Sequence, residues 1–588
     1  DLLSIIAPGA VLAQTAKEKE LEARIAQLEA QLTALKAEVA ASRPAPATAP
    51  AQAADVIRLP TAGQTPAAAP ATDTPAAKPA AHSFSPEINA GDFAEMVKTL
   101  ASDEFEGRAP GSKGEELTVN YIRDQMQRIG LQPGNGDSWF QDVPMTETTA
   151  DESTVLKITQ GGKTTELKFG TDMVVGTRTG QAEVKVDASD LVFVGYGIDA
   201  PERGWNDYKD VDLHGKIAVV LINDADFEDP SLNTFGGEAM TYYGRWTYKY
   251  EEAAKRGAAG VLIVHETEPA SYPWATVRNG RAGPQYDIVR ADAATHHLPM
   301  RGWMQATVAR RLFADAGLDF DAEKRRARNA GFRGGALGDA TLDIAFRVQR
   351  DRVVSHNVVG VLAGASRPDE TVVLSGHWDS FGIGQPDASG DAIINGAVDN
   401  ATAIASLIEL GRVFAAGPRP ARTLQFIALT AEENGLLGAT YYAANPLRPL
   451  DTTAAVLNME MWSPDGETRD ISSWGNGRVS LERDLAEAAA IDGRVRSPDP
   501  NLEAGLFYRA DHFAFAQAGV PAITIGPGMD QLDGGVEGGM AARADYFAHR
   551  YHQPGDAFDA SWDMAGPTAD TRTVYRLALA LANSASWP

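Results

Sequence analysis

From Asn357 onward the chain repeats one device: a short, almost wholly apolar run, a loop rich in Gly or Asn, and then a segment with apolar residues at helical spacing. Apolar runs of four to eight residues that alternate with helices are the mark of a mainly parallel sheet covered by helices. Four times such an element end carries ionisable residues. TVVLSGHWDS gives a strand over Val372 to Ser375, with His377 and Asp379 just past its carboxyl end. NGAVDNATAIASLIELGRVF puts Asp399 in a turn before a helix from about Ala401 to Phe414. TLQFIALTAEENGLLGATYYA makes Leu424 to Leu429 a strand followed by Glu432 and Glu433, and AAVLNMEMW makes Ala454 to Leu457 a strand with Glu460 at its exit. Last, YHQPGDAF sets Tyr551 and His552 in a loop whose Pro and Gly forbid helix continuation. Open α/β sheets bind ligands at the carboxyl ends of their strands, so the chemistry is expected there.

Each residue alone has a plain structural reading. Asp399 suits a helix N-cap, and Glu432 with Glu433 would complement a helix macrodipole, worth only ~0.3–1 kcal/mol. Their conjunction argues otherwise. The sequence contains no cysteine, which removes disulfides, thiol nucleophiles and Cys-ligated zinc, so a metal must be held by His and carboxylates. Two His and several carboxylates at neighbouring strand exits form a donor set suited to Zn²⁺. No G-x-S-x-G elbow, H-E-x-x-H helix or G-x-x-x-x-G-K-[ST] loop competes with it.

The length of 588 residues allows two to four domains at ~100–200 residues each. A formal net charge of −26 argues against a nucleic-acid partner. The run LLSIIAPGAVLA within residues 1–13 resembles the end of a signal peptide, from which a periplasmic or secreted location is expected. No later run of about 18 apolar residues occurs, so no transmembrane segment is expected in the mature chain. Within 14–42, Leu21, Ile25, Leu28, Leu32, Leu35 and Val39 follow a heptad spacing. They predict a short coiled coil, with homo-oligomerisation through 17–41 as the hypothesis and a solitary solvated helix as the alternative. Residues 43–83, dominated by Ala and Pro, read as a disordered linker. Two helical stretches around the turn GRAPGS follow, and from about 143 to 342 LVFVGYGI, KIAVVLIND and GVLIVHE read as strands of a separate insertion.

H-x-D, G-A-x-D-N, A-E-E-x-G-L-L-G and Y-H, in this order, resemble the M28 family of dizinc peptidases. The resemblance implies an α/β fold, a mainly parallel mixed sheet with helices on both faces. It implies a catalytic domain over 87–142 and 343–588, interrupted at 143–342 by a β-rich protease-associated (PA) domain, and preceded here by the coiled-coil arm. Two Zn²⁺ ions are then expected, bridged by Asp399, with His377 and Glu460 completing one site and Glu433 and His552 the other. Glu432 would be the general base, Asp379 the carboxylate that orients His377, and Tyr551 the hydroxyl facing the oxyanion. Relatives often carry Asp where this chain has Glu460, and in relatives with Asn after the bridging Asp, as Asn400 here, that peptide bond is cis. FYRADHFAFAQAGVPA resembles the substrate-pocket segment and makes Arg509 and Tyr508 candidates for substrate contact, while Asp511 reads as a helix cap and His512 as a packed ring. The family implies a peptide substrate and an aminopeptidase activity, with a glutamate carboxypeptidase-like activity as the alternative. A non-catalytic peptide- or protein-binding relative is the rival from another class, although every ligand position keeps a competent residue.

Overall fold

A computed structural model describes Ser85 and residues 87–588 apart from Asn476. The segments expected to be signal-like (1–13), coiled coil (14–42) and linker (43–83) lie outside the described residues. Two helices open the described chain, α1 (Ala90–Leu100) and α2 (Lys113–Arg128), each started by a side-chain cap: Asn89 accepts from the Asp92 amide and Ser112 from that of Glu115. Between them Arg108 is buried. Strand β1 (Phe140–Ala150) follows.

Residues 150–348 then build a core of their own around Phe193, Phe313 and Trp205. Its strands β2 (Glu183–Phe193), β3 (Ile217–Leu221), β4 (Gly260–His265) and β5 (Met300–Gln305) run parallel to one another in that order. Helix α3 (Trp246–Lys255) precedes β4, and α4 (Trp274–Ala282) lies between β4 and β5. The three strands read from the sequence are present as β2, β3 and β4. The boundaries at 143 and 342 fall inside continuous strands: β1 passes through the first and β6 (Gly335–Leu362) through the second. β6 pairs with β2 in its first half, and in its second half with β1 on one side and the strand Arg422–Leu429 of the second sheet on the other. One long strand therefore belongs to both sheets, which ties the insertion to the rest by main-chain hydrogen bonds rather than by a linker.

The second sheet continues with β7 (Arg367–His377), helix α5 (Thr402–Ala416), β8 (Arg422–Leu429), α6 (Leu437–Ala444), β9 (Thr453–Met459), α7 (Leu481–Ile491), α8 (His512–Gln517), β10 (Ala522–Pro527), α9 (Gly535–His549) and α10 (Ala565–Asn583). In space the order is β1, β6, β8, β7, β9, β10, and β8, β7, β9 and β10 are parallel. Successive side chains point to opposite faces. Val372 and Leu374 of β7, with Leu424 and Phe426 of β8, pack under α1, α2, α5, α7 and α10. Val373, Ile427 and Val456 face α6 and α8. The expected mainly parallel mixed sheet with helices on both faces is what forms. Strand β7 is longer than its apolar run and ends on His377 itself. No described helix is long and apolar enough to cross a membrane.

Candidate metal centre

Three neighbouring parallel strands deliver their exits to one place. β7 supplies His377, the β7–α5 loop Asp399, the β8–α6 loop Glu432 and Glu433, and the end of β9 Glu460; the loop after α9 adds His552. Donor atoms of His377, Asp399 and Glu460 lie within 4.8 Å of one another, and so do those of Asp399, Glu433 and His552. Asp399 belongs to both groups and offers a different oxygen to each. Its Oδ1 is 3.1 Å from His377 Nε2 and its Oδ2 3.3 Å from His552 Nε2. Glu460 Oε2 is 3.4 Å from His377 Nε2, and Glu433 Oε2 is 3.0 Å from His552 Nε2.

The structure decides between the readings left open above. Helix α5 is capped at Ala401 with no side-chain bond, so Asp399 is not an N-cap. α6 begins at Leu437, four residues beyond Glu433, so the two glutamates are outside its first turn. Asp511 stands at the N-cap of α8 but caps nothing, and both its buried oxygens lack a hydrogen-bond partner. His512 is packed edge-on against Phe507, with Nδ1 bonded to Thr524 Oγ1 at 2.6 Å.

Backbone geometry is bent to the task. Ala431, Met461 and His552 have positive φ angles of 51°, 49° and 56°, a region that costs non-glycine residues roughly 1–3 kcal/mol each. His552 and Met461 lie at or beside candidate ligands, and Ala431 lies beside Glu432. The Asp399–Asn400 peptide bond is cis. Asn400 Nδ2 donates to Glu460 Oε2 at 2.6 Å and Asn458 Nδ2 to Glu460 Oε1 at 3.0 Å. The long side chain of Glu460 is thus held at both oxygens.

Asp379 does two jobs. Its carboxylate accepts from the amides of Glu432 (3.0 Å) and Glu433 (3.4 Å), fixing that loop. Its main-chain carbonyl is 3.1 Å from His377 Nδ1, with the carboxylate at 3.5 Å, so the carbonyl is the closer partner of the ring nitrogen expected to bond the carboxylate. Two residues that sequence reasoning missed support the same loops. Asp556 accepts from the amides of Val398 (2.9 Å) and Asp399 (3.0 Å), and the buried Arg108 donates to the carbonyls of Trp378, Leu100, Asn395 and Gly396 at 2.5–2.8 Å. The only sequence signals were a carboxylate two residues past a Pro and an arginine in a Gly/Pro turn.

The charges are crowded. Burial would hold His377 neutral, but Glu460 and Glu432 outweigh it and raise the imidazole well above its usual range. Burial, reinforced by Glu433 and Glu460, lifts Glu432 well above the ordinary carboxylate range. Glu433 is pushed up to about 7, by burial and then by Asp399 against the pull of His552. His552 Nε2 and Glu433 Oε1 are buried without hydrogen-bond partners. Buried carboxylates packed this closely, with unsatisfied donor atoms and two imidazoles, are the surroundings that divalent cations relieve, and the nitrogen and oxygen donor set fits zinc.

Tyr551 stacks on His552 with ring centres 3.7 Å apart, and Arg509 lies 5.9 Å from the Tyr551 ring. Tyr508 sits in an aromatic group with Tyr242 and Phe513. All four line one cavity with Glu432, Glu433 and residues of the insertion. From the insertion, Asn279 and Thr276 of α4 donate to the carbonyls of His552 (3.0 Å) and Tyr551 (3.4 Å), so a second sheet's helix helps to place a candidate ligand. His549 is exposed and bonded to Asp545, whereas His297 bonds Asp287 on the cavity wall.

Comparison with known proteins agrees with this geometry. The family described as peptidase family M28 matches residues 357–575. A probable zinc metalloprotease of Pyrenophora tritici-repentis is 38% identical over 209 residues, covering 34% of this chain and 46% of the relative. A second, from Pyricularia oryzae, is 29% identical over 262 residues, covering 37% and 51%. The chain thus spans about half the length of these curated relatives. An aminopeptidase structure from Aneurinibacillus sp. strain AM-1 superposes with a TM-score of 0.52 at 19% identity, over 85% of this chain and 96% of that one, a likeness of fold. The stretch that matches peptidase family M28, residues 357–575, contains all six converging side chains, five at sheet exits and His552 on the loop after α9.

Proposed function

We propose that the protein is a dizinc aminopeptidase that releases N-terminal residues from peptides. The observation that carries this reading is Asp399, whose two oxygens face two different His/Glu pairs. His377, Asp399 and Glu460 would hold one ion, and Asp399, Glu433 and His552 the other. When bound, the ions supply Lewis acidity to the scissile carbonyl and to a water. The chain's own residues do the rest. Glu432, 3.9 Å from His377 Nε2 and tethered by its amide to Asp379, is placed to take the water's proton on its carboxylate and pass it to the leaving amine. The Tyr551 hydroxyl, on a ring fixed by stacking on His552, is the donor for the carbonyl oxygen as charge develops there. Aminopeptidase polarity is supported by the fold shared with the Aneurinibacillus aminopeptidase. Carboxypeptidase polarity is the second reading, favoured by the arginines around the cavity, which would accept a terminal carboxylate.

Mass spectrometry of a peptide set, half with blocked N-termini, tests both. Loss of single N-terminal residues from unblocked peptides only, abolished by chelation, is expected. Trimming from the C-terminus regardless of blocking would establish the second reading, and no trimming with zinc loaded would sink both.

A further inference from the structure

The loop that carries Glu432 and Glu433 leaves β8 after Leu429, passes Thr430 and turns at once through Ala431, whose φ is 51°. A strained residue keeps such a conformation only where its neighbours over-determine it. Beyond the turn Asp379 does this, through the amides of Glu432 and Glu433. Before the turn, side chains of β6 and α2 do it through Thr430. Asn357 of β6 takes the Thr430 amide on Oδ1 at 3.0 Å and gives its Nδ2 to the Gly438 carbonyl at 3.1 Å, so both ends of the loop hang on one side chain. The Gly438 amide closes the loop on the Thr430 carbonyl at 2.9 Å, and a Cβ at 438 would strike that carbonyl. Two residues before Asn357, on the same face of β6, Ser355 Oγ lies 2.6 Å from Thr430 Oγ1. Glu115 of α2 receives the Ser355 hydroxyl on Oε1 at 2.8 Å.

The proton directions follow from the groups. A carboxylate only accepts; Glu115 takes the Gly111 amide on Oε2, and His356 Nδ1 lies 2.9 Å from its Oε1 beside the serine. Ser355 therefore gives its one proton to Glu115 and accepts that of Thr430. Ser355, Asn357 and Thr430 are wholly buried, and Glu115 is buried with them. Alanine at 355 and valine at 430 would fill the same space, and replacing both partners of a buried hydrogen bond by apolar groups of like shape costs a core little. Polar side chains stand instead at the one point where the chain turns from β8 towards the metal centre.

We propose that Ser355 and Glu115 are positioning residues for Glu432: the hydrogen-bonded line Thr430–Ser355–Glu115 fixes the turn that aims the Glu432 carboxylate into the metal centre. The inference rests on the peptidase reading above. Thr430 is β-branched and stiff at χ1, so a held hydroxyl also holds the backbone from which Ala431 departs. Because Ser355 and Asn357 belong to the strand that runs through both sheets, the root of this loop is fixed to the frame of the molecule and not to β8 alone.

Two substitutions at Thr430 separate positioning from packing. Thr430→Val keeps the volume and removes the hydroxyl, whereas Thr430→Ser keeps the hydroxyl and leaves a methyl-sized gap. In the zinc-loaded full chain, kcat is expected to fall roughly 10–100-fold in Thr430→Val, as for a reacting group displaced by about 1 Å, and to stay within about threefold of wild type in Thr430→Ser. KM and zinc content should not change in either. Ser355→Ala, which takes the acceptor from Thr430, should match Thr430→Val, and the double variant should lose no more than either single one, because both break the same link. Wild-type kcat in Thr430→Val would overturn the proposal. So would the reverse order, with Thr430→Ser the slower, or a loss of zinc in step with activity; each would make Thr430 a packing residue. If the wild type cuts no peptide, the peptidase reading falls and hydrogen exchange decides the positioning. Amides of residues 430–438 should then exchange about tenfold faster in Thr430→Val and Ser355→Ala than in wild type and Thr430→Ser, and equal protection in all four would overturn it.

Discussion

Glu432 shows how much a single side chain depends on its neighbours. Its amide is held by Asp379, its carboxylate is buried among Glu433, Glu460 and His377, and yet neither group of donor atoms around Asp399 includes it. A carboxylate that sits beside the ligands without being one is free to carry a proton. Glu432→Gln keeps size and the amide bond to Asp379 but removes the base, so kcat should fall by roughly 10²–10⁴-fold. Zinc content, measured by atomic emission, should stay as in the wild type. Loss of both together would reassign Glu432 as a ligand, and unchanged turnover would refute its role as base. Glu433, one residue on, should behave in the opposite way: Glu433→Gln loses zinc first.

Elements place these residues from far apart in sequence. Arg108, in the turn between α1 and α2, donates to carbonyls on the loops of His377 and Asp399, the latter 287 residues away. Arg108→Met takes the guanidinium donor from four buried carbonyls, of which that of Gly396 keeps the Ala401 amide at 3.1 Å; each one left unsatisfied costs ~1–3 kcal/mol. Lower thermal stability and weaker zinc retention are therefore expected together, whereas Glu432→Gln moves neither. In the insertion, Asp207 accepts from the Ile198 amide and from Trp205 Nε1, and burial pushes its carboxyl up to about 7. A raised folded-state value means that the native form binds the proton more tightly than the unfolded one, so this group's contribution is lost as pH rises from about 4 towards 7. Urea unfolding should then show Asp207→Asn gaining roughly 2 kcal/mol relative to wild type between pH 5 and pH 7; a difference independent of pH would mean that Asp207 does not titrate there. The sequence revealed the elements better than these supports. His377, Glu432, Glu433 and Glu460 were legible because they stand where apolar strands end, and Asp399 because it precedes an apolar-periodic helix; β7, β8 and β9 lie where their apolar runs stand. Arg108, Asp556 and the insertion's Arg178, Arg245, Arg281 and Arg301 follow no period or motif, unlike Arg509; only the fold brings them to the site. The shared strand β6 was hidden likewise, since neither half of it looks different from an ordinary strand.

At the scale of the whole described chain, the insertion and the catalytic sheet are one mechanical unit at the site and two elsewhere. Each has its own core, and a third cluster joins Trp246, Tyr250 and Trp303 of the insertion to Val398, Met461, Tyr546 and Tyr551. Helix α4 reaches across it to the carbonyls of Tyr551 and His552. Zinc binding should therefore be felt in both bodies, but not evenly. Ligand binding stabilises by about 4 kcal/mol per site at a thousandfold excess over Kd, and removal also leaves Asp399, Glu433 and Glu460 crowded without counter-charge, so Tm of the chelated protein should fall by roughly 10 °C. Hydrogen exchange tells where. Chelation should speed exchange in residues 546–556 and in α4, which hangs on the His552 loop, while β3, buried in the insertion's own core, keeps its protection. Uniform loosening of β3 and α4 would mean that the two sheets, joined through β6, unfold as one. Protection of α4 unchanged by chelation would mean that the bonds from Thr276 and Asn279 do not transmit the state of the metal centre, and the insertion would then serve the site only as a wall.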